Sequence, residues 1–190
     1  MKKLFVIALA AFATLSVSAQ TLGRVNFQEL VMLMPEMDAA RETMAASQKE
    51  AEETYSAMAE EFQSKYTQYQ QRQATWTAAI REAKERELTD INTRLQEFQQ
   101  TISQELQQQQ AQLQAPIMEK AQKAVQEIAK AKGITVLFDA TSALYFDESK
   151  VVDITPDARK ALNIPADRTI ESLQAELQAQ AQAQAAAAAK

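Results

Sequence analysis

The nine residues RQATWTAAI, Arg72 to Ile80, interrupt a long run of helix-forming sequence. No glycine occurs between Gly23 and Gly133, and Pro116 is the only proline between Pro35 and Gly133. Alanine, glutamine, glutamate, lysine, methionine and leucine dominate on both sides of the stretch, and all of them favour helix. Thr75 and Thr77 can cap a new helix. The stretch therefore predicts a fold-back between two long helices.

Apolar residues recur at intervals of three, four and seven on both sides of this break. Before it they are Met37, Met44, Ala51 and Met58, together with Tyr55, Phe62, Tyr69 and Trp76. After it they include Leu88, Ile91, Leu95, Phe98 and Ile102. This spacing is typical of a helix that buries one narrow seam against another helix. A single straight helix would need a partner chain along its whole length, whereas a fold-back lets the chain supply its own partner.

The two helical segments have matching lengths. Residues 37–74 number 38 and residues 77–115 number 39, so each arm is about 60 Å long at 1.5 Å per residue. Pro116 follows the second arm, and we expect it to kink the helix because it removes one backbone hydrogen bond. We assign residues 35–115 to a helical hairpin arm.

Short strands are predicted at both ends of this arm and define a small head, residues 20–34 and 116–164. Leu22 to Phe27 alternates as one strand, and Ile134 to Phe138 predicts a second after a helix stop at Gly133. Leu144 to Phe146 predicts a third strand, joined to the second by a turn at residues 139–142. We expect this hairpin to pair with the first strand.

A three-stranded head has exposed edges and a thin core, which predicts association with further copies of the chain. The residues expected in the head core and subunit interface are Val25, Phe27, Val136, Phe138, Leu144 and Phe146. After the strands, Thr155-Pro156-Asp157 predicts a helix start with the Thr155 hydroxyl as its N-cap. Residues 165–190 form a low-complexity Gln/Ala tail, helical or frayed, to which we assign no function.

The first residues predict export. Lys2 and Lys3 precede an apolar run from Leu4 to Val17, which is short for a membrane span, and residues 17–19 are small. We expect a signal peptide, residues 1–19, cleaved before Gln20. The alternative is a buried N-terminal helix, but nothing later in the chain supplies a core large enough to take it.

Composition excludes several functional classes. The chain has no histidine, no cysteine and two glycines, which argues against the usual general base, thiol nucleophile, soft metal site and phosphate-binding loop. We therefore expect no enzymatic activity, no metal and no cofactor. After signal removal, 18 basic against 25 acidic side chains leave a net charge of −7, which argues against a nucleic-acid partner.

These features resemble the Skp (OmpH-like) family of periplasmic chaperones. The resemblance covers residues 22–164 and rests on Arg24-Val25-Asn26-Phe27, the glycine-poor hairpin, and residues 136–140 and 143–146 leading to Asp153-Ile154-Thr155. It implies a mainly α, α+β fold that assembles as a trimer, with a β-barrel-like head and helical hairpins around a cavity. It also implies an ATP-independent holdase that encloses unfolded outer-membrane β-barrel proteins in the periplasm.

The sequence departs from the family in its charge. Family members are often strongly basic, and basic residues on the return arm, proposed in some members to bind lipopolysaccharide, have no evident counterpart in this acidic chain. We therefore carry over no lipopolysaccharide site and expect at most peripheral membrane contact. Residues 65–94, however, contain six basic and four acidic residues, which gives this segment a local net charge of +2. A mildly basic tip can still help to capture clients.

The candidate client-binding residues lie on the arms near the tip: Tyr66, Tyr69, Trp76, Lys65, Arg72, Arg81, Lys84 and Arg86. The aromatic residues either close the seam between the arms or grip apolar client segments. The methionines Met32, Met34, Met37, Met44 and Met58 likewise either pack in the interior or form an adaptable surface. The alternative function is a structural coiled-coil spacer or adaptor in an envelope assembly.

Overall fold

A computed structural model describes residues 21–188; the predicted signal peptide therefore lies outside the described residues. The chain is mainly helical with one small sheet. The helices are α1 (Phe27–Leu33), α2 (Pro35–Arg72), α3 (Ala78–Ala131), α4 (Thr155–Ala161) and α5 (Ile170–Ala188). The strands are β1 (Leu22–Val25), β2 (Val136–Asp139) and β3 (Val151–Asp153).

The predicted fold-back at RQATWTAAI is confirmed. Helix α2 ends at Arg72, a short 3-10 turn spans Gln73–Thr75, and Trp76 and Thr77 have extended backbones before α3 begins. Thr77 caps α3, since its hydroxyl accepts a hydrogen bond from the Ile80 amide at 3.4 Å. Thr75 has a different role from the one expected, because its hydroxyl donates to the Arg72 carbonyl at 2.8 Å.

Ion pairs and hydrogen bonds between side chains of α2 and α3 show that the two helices run antiparallel. Going up α2, Glu36 pairs with Lys120, Ser47 bonds to Gln109 at 3.0 Å, and Glu61 pairs with Arg94 at 3.7 Å. Between residues 41 and 116, Ile91 is the one fully enclosed apolar side chain, and the rest of the seam is only partly covered. The arm is therefore held by a narrow line of contacts.

Helix α3 continues through Pro116 to Ala131, so arm and head share one helix. It ends in a Schellman motif: the Gly133 amide donates to the Lys130 carbonyl at 3.1 Å, and the Ile134 amide to the Ala129 carbonyl at 2.9 Å. Gly133 has φ of +66°, a conformation that glycine adopts without strain. The division into arm and head at Pro116 stays a prediction.

The sheet is parallel, with β1 between β2 and β3. Leu22 is in register with Val136 on one side and with Val151 on the other. Gly23 fits this site because a Cβ there would lie 2.8 Å from the Ile134 Cδ1. The predicted pairing of β2 with the first strand is confirmed.

The predicted third strand at Leu144–Phe146 is wrong, and so is the hairpin. The third strand is β3, and residues 144–146 are irregular. The reason is geometric: β2 and β3 both run parallel to β1, so residues 140–150 must carry the chain back across the sheet to the start of β3 and cannot run beside β2 as a hairpin partner. Residues 140–150 instead form a crossover with 3-10 turns at Ala140–Ser142 and Glu148–Lys150, which Asp139 and Asp147 cap.

The core lies at the base, where α1, the end of α3, α4 and the start of α5 meet the sheet. Its buried members include Leu30, Leu33, Ala121, Ile154 and Leu162. Met34 and Met37 belong to it, which supports the packing interpretation for these two methionines. Thr155 is not an N-cap but the first residue of α4, and its hydroxyl accepts from the Asn26 amide at 3.0 Å.

We predict that Gly133→Ala lowers the free energy of unfolding by about 1 kcal/mol, because alanine is strained at positive φ even though space is open around it. Gly133→Asn should lose less, since asparagine tolerates this conformation. Urea unfolding at one fixed protein concentration measures both variants. Equal losses in the two variants would contradict the assignment of the cost to backbone strain.

Candidate functional site

Some aromatic residues near the tip pack between the two helices, and one is exposed on the surface. Tyr69 and Trp76 pack edge to face with ring centres 6.0 Å apart, and the Tyr69 hydroxyl donates to Glu85 on α3. Phe62 and Tyr66 stack with their planes 6° apart. Tyr69 and Trp76 are partly buried, whereas Tyr66 is exposed. The tip thus closes with aromatic contacts and leaves one tyrosine ring open to solvent.

Four of the six basic residues near the tip are tied to acidic partners. Lys65 and Lys84 both bind Glu87, Arg86 lies 3.5 Å from Glu82, and Arg94 pairs with Glu61. Two ammonium groups therefore hold the pKa of Glu87 at about 2, below its ordinary value of 4.5, with the Lys65 hydrogen bond as the larger cause. These pairs fasten α2 to α3 and one turn of α3 to the next.

Arg72 and Arg81 form no ion pair within residues 21–188. Both lie beside the closing aromatic pair: Arg72 is one turn beyond Tyr69 on α2, and the Arg81 charge acts on the Tyr69 hydroxyl. The pKa of Tyr69 is raised by its hydrogen bond to Glu85, and Arg81 opposes this shift. The positive charge that the tip can offer to a partner is thus concentrated at these two arginines.

The head presents apolar side chains that the single chain does not cover. Leu144 is fully exposed, Tyr145 is 86% exposed, and Val136 and Val152 on the two outer strands are also exposed. Of the six residues predicted for the head core and interface, Val25 is buried, and Phe27, Phe138 and Phe146 are partly buried. Val136 and Leu144 are not in the core of the chain.

Arg24 organises the inner side of this exposed region. Its guanidinium lies 5.1 Å from the centre of the Phe146 ring and 3.0 Å from Asp153. Phe146 in turn packs edge to face on Phe138 at 5.5 Å. The crossover between β2 and β3 is thereby held against the sheet, with Leu144 and Tyr145 projecting from it.

A family model for outer membrane proteins of the OmpH-like type matches residues 21–162. The chain belongs to the OmpH-like family. A comparison with curated proteins finds no match. OmpH-like proteins are associated with periplasmic chaperones of outer-membrane proteins, which are not enzymes. None of the helices within residues 21–188 combines the length and apolar character that a membrane span requires.

The OmpH-like match includes β1, the arm, the sheet and α4, and it ends at Leu162. Helix α5 lies beyond it. This helix is nevertheless attached to the head, because Leu173 is 2% exposed and Arg168 binds Asp38 at 2.7 Å. The tail interpretation missed this attachment, although Ile170, Leu173 and Leu177 already show helical three-four spacing.

Tyr145 and Arg24 were also missed as candidate functional residues. Tyr145 lies in the segment that carries the OmpH-like resemblance, but its exposure depends on the crossover being irregular rather than a strand. Because side chains alternate along β1, the sequence predicts Arg24 on the face opposite to Val25. It does not indicate which residues Arg24 contacts there. Long-range partners such as Phe146 and Asp153 are visible only in the folded chain.

We predict that Glu87→Gln weakens the arm in a pH-dependent way. Because the pKa of Glu87 is lower in the folded chain, its ion pairs stabilise the fold above about pH 4.5, and that contribution is lost as the pH falls toward 2. Urea unfolding should show a difference between wild type and variant at pH 7 that shrinks from pH 4.5 to pH 2.5. Glu97→Gln, an exposed acid on α3 with no ion pair within residues 21–188, should show no such trend. A difference that stays constant with pH would contradict the assignment.

Proposed function

We propose that this chain is an ATP-independent holdase that encloses unfolded outer-membrane β-barrel proteins between the helical arms of a periplasmic oligomer, a trimer. The proposal includes export with cleavage before Gln20. The holdase proposal is supported mainly by one combination of features in this OmpH-like chain. A long, narrow arm is joined to a head whose outer strands expose apolar residues.

The arms suit a client that varies in size and shape. A seam with a single enclosed residue between positions 41 and 116 offers little resistance to bending, since local stability follows buried contact. Near its middle, Ala51 faces the larger Phe98, Ile102 and Leu106, and cavities of about 410 and 290 Å³ flank this mismatch. Such packing favours adjustable arms over a rigid spacer.

The tip suits weak and unspecific capture. An exposed tyrosine ring and two arginines that form no ion pair within residues 21–188 can contact apolar and acidic segments of many different sequences. Weak contacts spread over several arms allow release without fuel, because folding of the client in the membrane removes it from the chaperone.

The head suits self-association. Strands β2 and β3 are the outer strands of the sheet, and an uncovered strand edge tends to pair with another chain. Leu144 and Tyr145 lie in the crossover between these strands, in a segment that has no strand partner within residues 21–188. We propose that residues 143–147 of one copy pack on the outer strands of the next, which covers the apolar residues and closes the ring.

The deciding experiment is native mass spectrometry of residues 20–190, alone and after dilution of a urea-unfolded outer-membrane β-barrel protein into it. We expect a trimer that takes up one client chain. An oligomer that ignores the client would contradict the holdase and favour the alternative, a spacer or adaptor. The intact mass of protein purified from the periplasm tests cleavage before Gln20.

In the same mixing experiment, Arg72→Glu with Arg81→Glu should slow client capture several-fold at low salt, because attraction between opposite charges raises association rates. The effect should disappear at high salt. Lys84→Glu with Arg86→Glu, which reverses two charges already paired with Glu87 and Glu82, is the matched control and should change the rate less. Equal rates for wild type and the variant with both Arg72 and Arg81 reversed would exclude the basic tip as a capture surface.

Leu144→Glu should raise the dissociation constant of the oligomer at least ~10-fold, because it places a charge where the next copy packs. Analytical ultracentrifugation measures the shift, and circular dichroism should show an unchanged helix content because Leu144 is fully exposed in the chain. Ile80→Glu at the distant tip, also an exposed apolar residue, is the control. An oligomer that tolerates Leu144→Glu would place the interface elsewhere.

A further inference from the structure

Helix α5 forms one wall of a cleft at the root of the arm. The cleft has a volume of about 690 Å³, and its other walls are the first turns of α2 and the part of α3 opposite them. Helix α5 is held at its start only: Leu173 is buried, and every side chain described from Gln174 onward is exposed. The helix therefore leaves the arm at an opening rather than packing along it.

The floor of the cleft is apolar and adaptable. It is lined by Met37, Ala40, Met44, Leu113, Leu173 and Leu177. Leu177 is 41% exposed, and Met44 is partly buried. Methionine fills irregular spaces and accepts side chains of different shape, so such a floor suits apolar groups of varying size.

The charges around the cleft are largely satisfied within the chain. Asp38 accepts from Arg41 at 2.6 Å and from Arg168 at 2.7 Å, and Glu176 lies 3.4 Å from Arg168. Glu42 is the remaining charged residue of the lining and forms no ion pair within residues 21–188. Glu42 could neutralise a single positive charge and the lining offers no unpaired positive one, so charge complementarity favours a weakly charged, largely apolar partner.

The polar groups of the cleft match a peptide backbone. Gln48, Gln110, Gln114 and Gln180 line it, and a glutamine amide can both donate to a carbonyl and accept from an N–H group. The Arg168 Nε is buried and has no acceptor within residues 21–188. This atom is closed to solvent, so the backbone partners that the cleft offers to an incoming chain are the four glutamines.

We propose that this cleft binds an extended apolar stretch of the unfolded client, with α5 as its outer wall. The proposal rests on the holdase function above and adds a second contact region at the arm root. From Leu173 to Gln180, the part of α5 that lines the cleft extends about 10 Å, which equals the length of about three residues of extended chain. Strands of membrane β-barrels contain about ten residues with alternating apolar side chains, so one such strand can cover the cleft.

The test is photo-crosslinking from α5 in the full mature chain. Benzoylphenylalanine at position 177 lies in the cleft, and the same group at position 175, exposed and on the opposite face of α5, is the matched control. After dilution of a urea-unfolded outer-membrane β-barrel protein, position 177 should give several-fold more adduct with the client than position 175.

A binding measurement accompanies the crosslinking. Leu177→Glu should weaken client binding about fivefold, because a charge would enter the apolar floor. Met118→Glu, which alters an equally exposed apolar residue of α3 outside the cleft, should leave binding unchanged. Native mass spectrometry of both variants shows whether each keeps the oligomeric state of the wild type, so that a loss of binding is not a loss of assembly.

The other outcomes overturn the inference. An adduct within the same chain would show that α5 closes onto the arm, and an adduct between copies would make the cleft an assembly surface. If the client binds normally, position 177 gives no adduct and Leu177→Glu has no effect, then the cleft is not a client-binding site. The proposed holdase function would be unaffected by that result. If the wild type does not bind client at all, the proposed client site in the cleft and the proposed holdase function are both wrong.

Discussion

Strand β1 accepts a parallel neighbour on each of its two edges, and the geometry of the whole chain depends on this pairing. It joins residues 22–25 to residues 136–139 and 151–153, which lie more than a hundred positions later in the sequence. The two ends of the helical excursion are thereby held at one place, so α2 and α3 must return to the same base. A glycine at position 23 allows this close approach, because Ile134 occupies the space of a side chain there.

Burial is distributed unevenly between base and arm, and this difference supports the proposed function. At the base, α1, α3, α4 and α5 enclose a continuous apolar core. Along the arm, two helices cover each other on one side only, and ion pairs such as Lys65–Glu87 and Glu61–Arg94 supplement the apolar seam. Exposed ion pairs contribute little free energy, so we expect the arm to move more easily than the base. A chaperone with a fixed head and adaptable arms requires this arrangement.

The parts that sequence reasoning predicted correctly are those controlled by local chemistry. The fold-back between Arg72 and Ile80, the cap at Thr77 and the helix end at Gly133 each depend on a few neighbouring residues. The antiparallel seam follows from spacing alone, because a helix repeats about every 3.6 residues. Sequence also placed the aromatic and basic residues together at the tip, although it could not separate the paired Lys84 and Arg86 from Arg72 and Arg81.

The errors occurred where residues distant in sequence compete for one partner. Apolar alternation at Leu144–Phe146 predicted a strand, but β3 pairs parallel to β1, so the chain uses residues 140–150 to return across the sheet instead. The Gln/Ala tail was expected to be helical or frayed and is helical, but its attachment through Arg168 to Asp38 and through Leu173 to the core depends on distant residues. By itself the sequence determined the helical hairpin, its tip and its ends, since each follows from local hydrogen bonds and periodicity. Tertiary structure decided the order of the strands, the pairing of the charges and the position of α5, because each of these depends on which distant groups are within contact distance once the chain has folded.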